Sequence, residues 1–218
     1  VTLDQAGLLH TTLAHLGLGQ VNFSEGWWSD AQERSEVRLL IDVCGAAIES
    51  AANPDLQRPL ARRFLDAALW FGEGAREDIP AAAVVKYVTA LERMVMTEEK
   101  DEIGTLLSTR IAALCFDPSV PGDRARWIAE SKELYDLRSK LVHGSMSPNA
   151  PEIYAGLGLG AKIARFALLS ALQVFREAGM RAEDSSQKRL ANWFGFLIER
   201  ADEIEGRFAS ETELGHEP

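Results

Sequence analysis

"RARWIAESKELYDLRSKLVHG", residues 124–144, decides how this chain is read. Trp127, Leu134, Leu141 and Val142 recur at spacings that line one face of an α-helix. Asp123 stands where an N-cap belongs, and Gly144 where a helix stops in the left-handed region. The exception lies within the apolar face itself. On a wheel centred on Arg138, Ser131 and Trp127 fall within about 20°, Leu134 and Val142 within about 40°, and Tyr135 at about 60°. Asp136 and Lys140 point the opposite way. A guanidinium cannot discharge itself by losing a proton, so there it requires a carboxylate, carbonyl oxygens, a wet cleft or a ligand phosphate.

The same pattern extends in both directions. Ser29 with Gln32 reads as a capping box before a helix over 33–51, ended by "NPD" at 53–55. A second helix is expected over 56–71, stopping at Gly72 and Gly74. A third follows Ile79-Pro80 over 81–96, and Thr97 is placed to cap a fourth over 98–116, closed by Asp117-Pro118. The opening stretch is the fifth. "SPNAP" (147–151) separates it from a sixth over about 153–178, and Asp184 with Gln187 opens a seventh over about 186–209. No sustained two-residue alternation and no Asn-Gly turn argue for strands. The predicted fold is all-α, an antiparallel helical bundle with additional flanking helices, because the connections are short. Residues 29–210 form the helical domain in this reading. Residues 1–28 form an N-terminal connector or packing segment held by Trp27 and Trp28, and 211–218 form an acidic, disordered tail. The chain opens without a methionine, which predicts a fragment or processed chain.

Composition bounds the function classes. Hydrophobic residues at 46% and charged residues at 26% are those of a globular protein, and the reading expects no membrane span. A net charge of −10 argues against a broad nucleic-acid-coating face, although the 124–143 segment is locally basic. Cys44 and Cys115 sit in apolar contexts and read as buried free thiols of a reducing, cytoplasmic compartment. The histidines are His10, His15, His143 and His216, and none has the spacing of a zinc site; no cofactor is expected.

Two more charges occupy apolar stripes. Glu92 lies among Val85, Val88 and Met96, and Arg110 among Ile103, Leu106 and Leu114. A buried Glu92–Arg110 pair is the expected resolution, leaving Arg138 available. His143 lies about 140° round from Arg138, off the stripe and in the last turn. Imidazole suits proton transfer and guanidinium suits bidentate phosphate binding.

The string Arg138-Ser-Lys-Leu-Val-His143, with "VTALERMV" and "LLSTRIAAL" upstream, resembles the HEPN family, in particular its ApeA-like branch, over about residues 67–178. The resemblance implies a HEPN-like bundle that dimerises and acts as a metal-independent RNA endonuclease, as a toxin or an abortive-infection effector against phage. It makes Arg138 and His143 the catalytic pair. Ser139, Tyr135, Glu92 and Arg110 would support them, and Lys140 and Arg126 would hold flanking RNA phosphates. After the arginine, where such proteins often carry Asn, Asp or His, this chain has Ser139. The resemblance further implies an N-terminal sensor region ahead of Val1. The alternatives are a catalytically inactive HEPN module that binds RNA or dimerises, and a nucleotide-sensing helical domain of a larger protein.

Overall fold

The computed structural model describes residues 2–3, 9–10, 25–53, 55–99, 101–183 and 186–214. Two-residue strands β1 (Thr2–Leu3) and β2 (Leu9–His10) pair antiparallel, and everything else regular is helix. The helices are α1 (Trp27–Glu33), α2 (Ser35–Ala52), α3 (Pro59–Ala75), α4 (Pro80–Val95), α5 (Ile103–Cys115), α6 (Asp123–Val142), α7 (Glu152–Ala178) and α8 (Gln187–Leu214). The all-α expectation is met.

Sequence punctuation explains most boundaries. Prolines open α3 and α4, where a missing N–H costs nothing. Gly144 at φ 70° and Gly179 at φ 99° close α6 and α7 in the left-handed region. Three expectations are corrected. Ser29 lies inside the short α1 rather than capping a long helix, and the chain is extended at Arg34 before α2 begins. Thr97 does not start a helix. Its N–H and hydroxyl both donate to Glu99, at 2.7 Å each, and this local turn delays α5 until Ile103. Asp123 is the first residue of α6 rather than its cap. Its carboxylate accepts instead from the Asp117 N–H and the Trp127 indole N–H. At the other end of the chain, α8 passes its predicted end at Ala209 and runs to Leu214. Asp184, read as an opener of that helix, lies outside the described residues.

Helix α7 is the centre of the bundle. It packs on α2 to α6 and on α8, and Ile153, Ile163, Ala167, Ala171 and Phe175 are fully buried along it. Among the described residues α7 alone is long and apolar enough to cross a bilayer, a property it shares with the core helix of a bundle. Small residues let its neighbours in. A side chain at Gly156 would meet Leu137 of α6, and one at Gly160 would press on Tyr87 of α4. Among the described residues four ion pairs tie α6 to its neighbours. Arg124 reaches Asp202 and Glu205 of α8 at 2.6 and 2.8 Å, Glu130 takes Lys162 of α7 at 2.8 Å, and Arg138 takes Glu92 of α4. Trp27 and Trp28 stand edge-to-face on each other and stay 41% and 46% exposed, so they add little to the core predicted for them.

Candidate functional site

Two turns of α6 carry the site residues. Trp127, Ser131, Leu134 and Leu137 form the buried stripe, and Arg138 continues it toward α4, as its wheel position requires. Its Nη2 donates to Glu92 Oε2 at 2.9 Å, and the two side chains are 23% and 21% exposed. The guanidinium carbon lies 5.9 Å from the Tyr135 ring, and that ring packs on Gly104 at the start of α5. Nε of Arg138 is buried without a partner. Glu92 therefore grips one Nη of the fork and leaves the buried Nε without a partner among the described residues. Burial pushes the Glu92 carboxyl above its ordinary range, and the Arg138 charge offsets part of that rise.

The expected Glu92–Arg110 pair is absent. Arg110 turns to the other side, donating to the Val95 carbonyl at 2.6 Å and to Glu99 at 2.5 Å, with its guanidinium over the Phe194 ring. Burial alone would raise the Glu99 carboxyl, but hydrogen bonds from Arg110 and Thr97 prevail and hold it at about 2. The physical reason is the turn at Thr97. It places a carboxylate nearer Arg110 than Glu92 is, and frees Glu92 for Arg138. Arg110 is thus a strut between α4, α5 and α8, apart from the Arg138 site.

His143 is the residue after α6, at φ −82° and ψ 0°, and its side chain is exposed. Val142 beside it is 54% exposed although it continues the apolar stripe. A depression of about 550 Å³ between Ala81 and Val85 of α4 and the 144–148 turn adjoins this end. From Arg138 to His143 the helix rises about 7.5 Å. One face of this end is anchored in the bundle and the other is presented outward.

The remaining predicted residues divide. Ser139 is half-buried and its carbonyl accepts the His143 N–H at 3.0 Å. Lys140 is exposed beside a cleft of about 480 Å³ between α6 and α7, whose rim also carries Lys132, Glu133, Asp136 and Glu152. Arg126 is held by Asp123 and stacks on Trp127 at 5.7 Å. Along α6 it lies about 21 Å from Lys140, so the two do not form one phosphate-binding patch. Cys44 and Cys115 are free thiols and half-buried; burial pushes Cys115 up to about 12. Among the described residues no three His, Cys, Asp or Glu side chains gather as a metal site.

Sequence reading missed two charged groups. Glu99 was counted within the helix expected over 98–116 and given no role, although Thr97 two residues before it can also hold a local turn. Arg63 of α3 is 5% exposed, and a wheel would have placed it with Ala67 and Gly74, both buried. The chain matches no family model, no curated protein and no solved structure.

Proposed function

We propose that this chain is a metal-independent RNA endonuclease of the HEPN kind, acting as a homodimer through the C-terminal end of α6. One observation carries the reading: Arg138 is half-buried, held by Glu92 at one corner only, and followed at the helix end by an exposed histidine. The part of the guanidinium that Glu92 does not engage is a donor that a phosphate can take up.

RNA supplies its own nucleophile. In the proposed reaction the 2′-hydroxyl attacks the adjacent phosphorus as His143 accepts its proton. Arg138 stabilises the negative charge that develops on the phosphorane oxygens. The bond to the 5′-oxygen breaks, and an imidazolium returns the proton to that leaving oxygen. A second copy provides the second imidazole, because a two-fold axis at the α6 ends brings two Arg138–His143 sets to one cleft. Glu92 is a positioning residue that fixes the rotamer of Arg138. The setting implied by the resemblance is anti-phage defence or toxin action in the cytoplasm.

A catalytically idle RNA-binding or dimerising module is the second reading, favoured by the ion pair itself. Glu92 already compensates the charge of Arg138, as a purely structural arginine requires. The test is incubation of the purified chain with end-labelled RNA in excess EDTA, followed by analysis of the product ends. Cleavage with 2′,3′-cyclic phosphate and 5′-hydroxyl ends supports the nuclease. Binding without cleavage, or cleavage that needs a metal or attacks DNA, refutes it.

A further inference from the structure

A second basic site lies away from the α6 end. Where α3 begins, Arg58, Arg62, Arg63 and Arg93 line a cleft of about 250 Å³, with Gln57 and Gln187 completing its polar wall. No carboxylate lines it, in a chain whose net charge is −10. Two of the arginines are held from outside. Arg58 donates to Glu49 at 2.5 Å and Arg93 grips Asp66 through Nε and Nη2 at 3.0 and 2.7 Å. Arg62 donates to the Leu56 carbonyl at 3.1 Å.

Arg63 is different. It is 95% buried, and among the described residues its side chain makes no hydrogen bond and no ion pair. Burial, with Arg93 and Arg110 as like-charged neighbours, pulls it down to about 10; the Glu99 and Asp66 carboxylates oppose that, but both are engaged elsewhere, by Arg110 and Arg93. Nε of Arg58 is likewise buried and unpartnered. Cations so placed are costly unless something anionic compensates them.

The backbone adds to the same field. The 17-residue α3 begins at Pro59 and the 28-residue α8 at Gln187, so both N-terminal ends meet the cleft. Helix α3 has no side-chain cap and no acid in its first turn, so its N-terminal dipole is uncompensated there, although Pro59 itself offers no N–H. Helix α8 gives the Arg189 N–H to Ser186 and has no acid in its first turn either. Guanidinium forks beside two helix N-termini are the donor set that a tetrahedral oxyanion with several acceptors satisfies.

We propose that this cleft is a binding site for a phosphate or diphosphate group, compensating Arg63 and bridging α3, α4 and α8. Its size suits a terminal phosphate group, whether on a free small anion or at the end of a nucleotide. The site is separate from the Arg138–His143 end and carries no step of the cleavage reaction.

The test is thermal unfolding of the full chain with inorganic phosphate, pyrophosphate or a nucleoside diphosphate, against potassium chloride at equal ionic strength. A 5′-phosphorylated RNA oligonucleotide and its 5′-hydroxyl counterpart form a further pair. A ligand at a hundredfold excess over its Kd raises Tm by roughly 5–10 °C in a chain of this size. The expected result is such a rise with a phosphate-bearing ligand, lost in Arg63→Met while the unliganded variant stays as stable as wild type or gains. Gln187→Glu, which puts a carboxylate in the wall at almost constant volume, also abolishes the rise. Arg165→Met, an exposed arginine on α7, retains it. Response to pyrophosphate identifies a free anion, and response confined to the diphosphate nucleotide or the phosphorylated oligonucleotide identifies a nucleotide end. A chloride response of equal size, a rise that survives both Arg63→Met and Gln187→Glu, or no response to any ligand at roughly 10 mM overturns the proposal. RNA cleavage is scored separately, so loss of either result leaves the other standing.

Discussion

Replacing Glu92 by glutamine removes the one carboxylate that answers Arg138 and leaves the guanidinium half-buried beside an amide. Fully exposed pairs contribute about 0–1 kcal/mol, and breaking a fully buried pair by removing one partner costs about 3–5 kcal/mol. At 23% and 21% exposure this pair lies between those limits. Some of the loss is returned, because burial disfavours the Glu92 charge. A net cost of about 1–2 kcal/mol is therefore expected, seen as a Tm lowered by roughly 2–8 °C. Arg138→Met should cost a similar amount, and Glu92→Gln/Arg138→Met less than the sum, with a coupling energy of about 1 kcal/mol. Glu92→Gln/Arg110→Met should be additive within about 0.5 kcal/mol, because those two residues do not touch. Urea denaturation at neutral pH, followed by helical circular dichroism, of wild type, the three single variants including Arg110→Met and the two double variants gives the values. Glu92→Gln as stable as wild type, or coupling to Arg110 in place of Arg138, refutes the assignment of partners.

Three further outcomes follow from the packing and the charges. The Glu99 carboxyl is held at about 2 from an ordinary 4.5, so its stabilisation is present above pH 4.5 and lost as pH falls toward 2. After allowance for solvent screening it amounts to about 2 kcal/mol, and Glu99→Gln should flatten that part of an acid titration of Tm; an unchanged profile would contradict it. Gly156→Ala should destabilise by about 1–3 kcal/mol, since the new methyl group would overlap Cδ2 of the buried Leu137, and a chevron or urea melt reads this directly. Sedimentation velocity at micromolar concentration should show a dimer that Val142→Glu weakens, and a wild-type monomer would remove the two-fold cleft from the mechanism.

The helical periodicity of residues 124–144 was enough to place Arg138 on the inner face and His143 off it, and the glycine at 144 fixed the helix end. Those features are local, set by 100° per residue and by a positive φ that glycine tolerates. Pairing was not local. Three charges were visible mid-stripe, but which acid met which arginine depended on how α4, α5 and α6 are rotated and stacked, and a wheel holds no such information. The Thr97–Glu99 turn shifted the start of α5 and brought to Arg110 an acid that the reading had left inside a helix. Arg63 was legible in principle but passed over, because its stretch carries adjacent arginines and reads as a basic helix face.

The most direct test of the central claim is a single-turnover comparison of wild type, His143→Ala and Arg138→Lys on the same labelled RNA in excess EDTA. The account predicts cleavage by wild type and a loss of about 10²-fold or more in His143→Ala, as for removal of a general acid–base. It predicts a comparable loss in Arg138→Lys, which keeps the charge but not the planar fork. Full activity in either variant would contradict it, and so would the absence of cleavage by the wild-type chain.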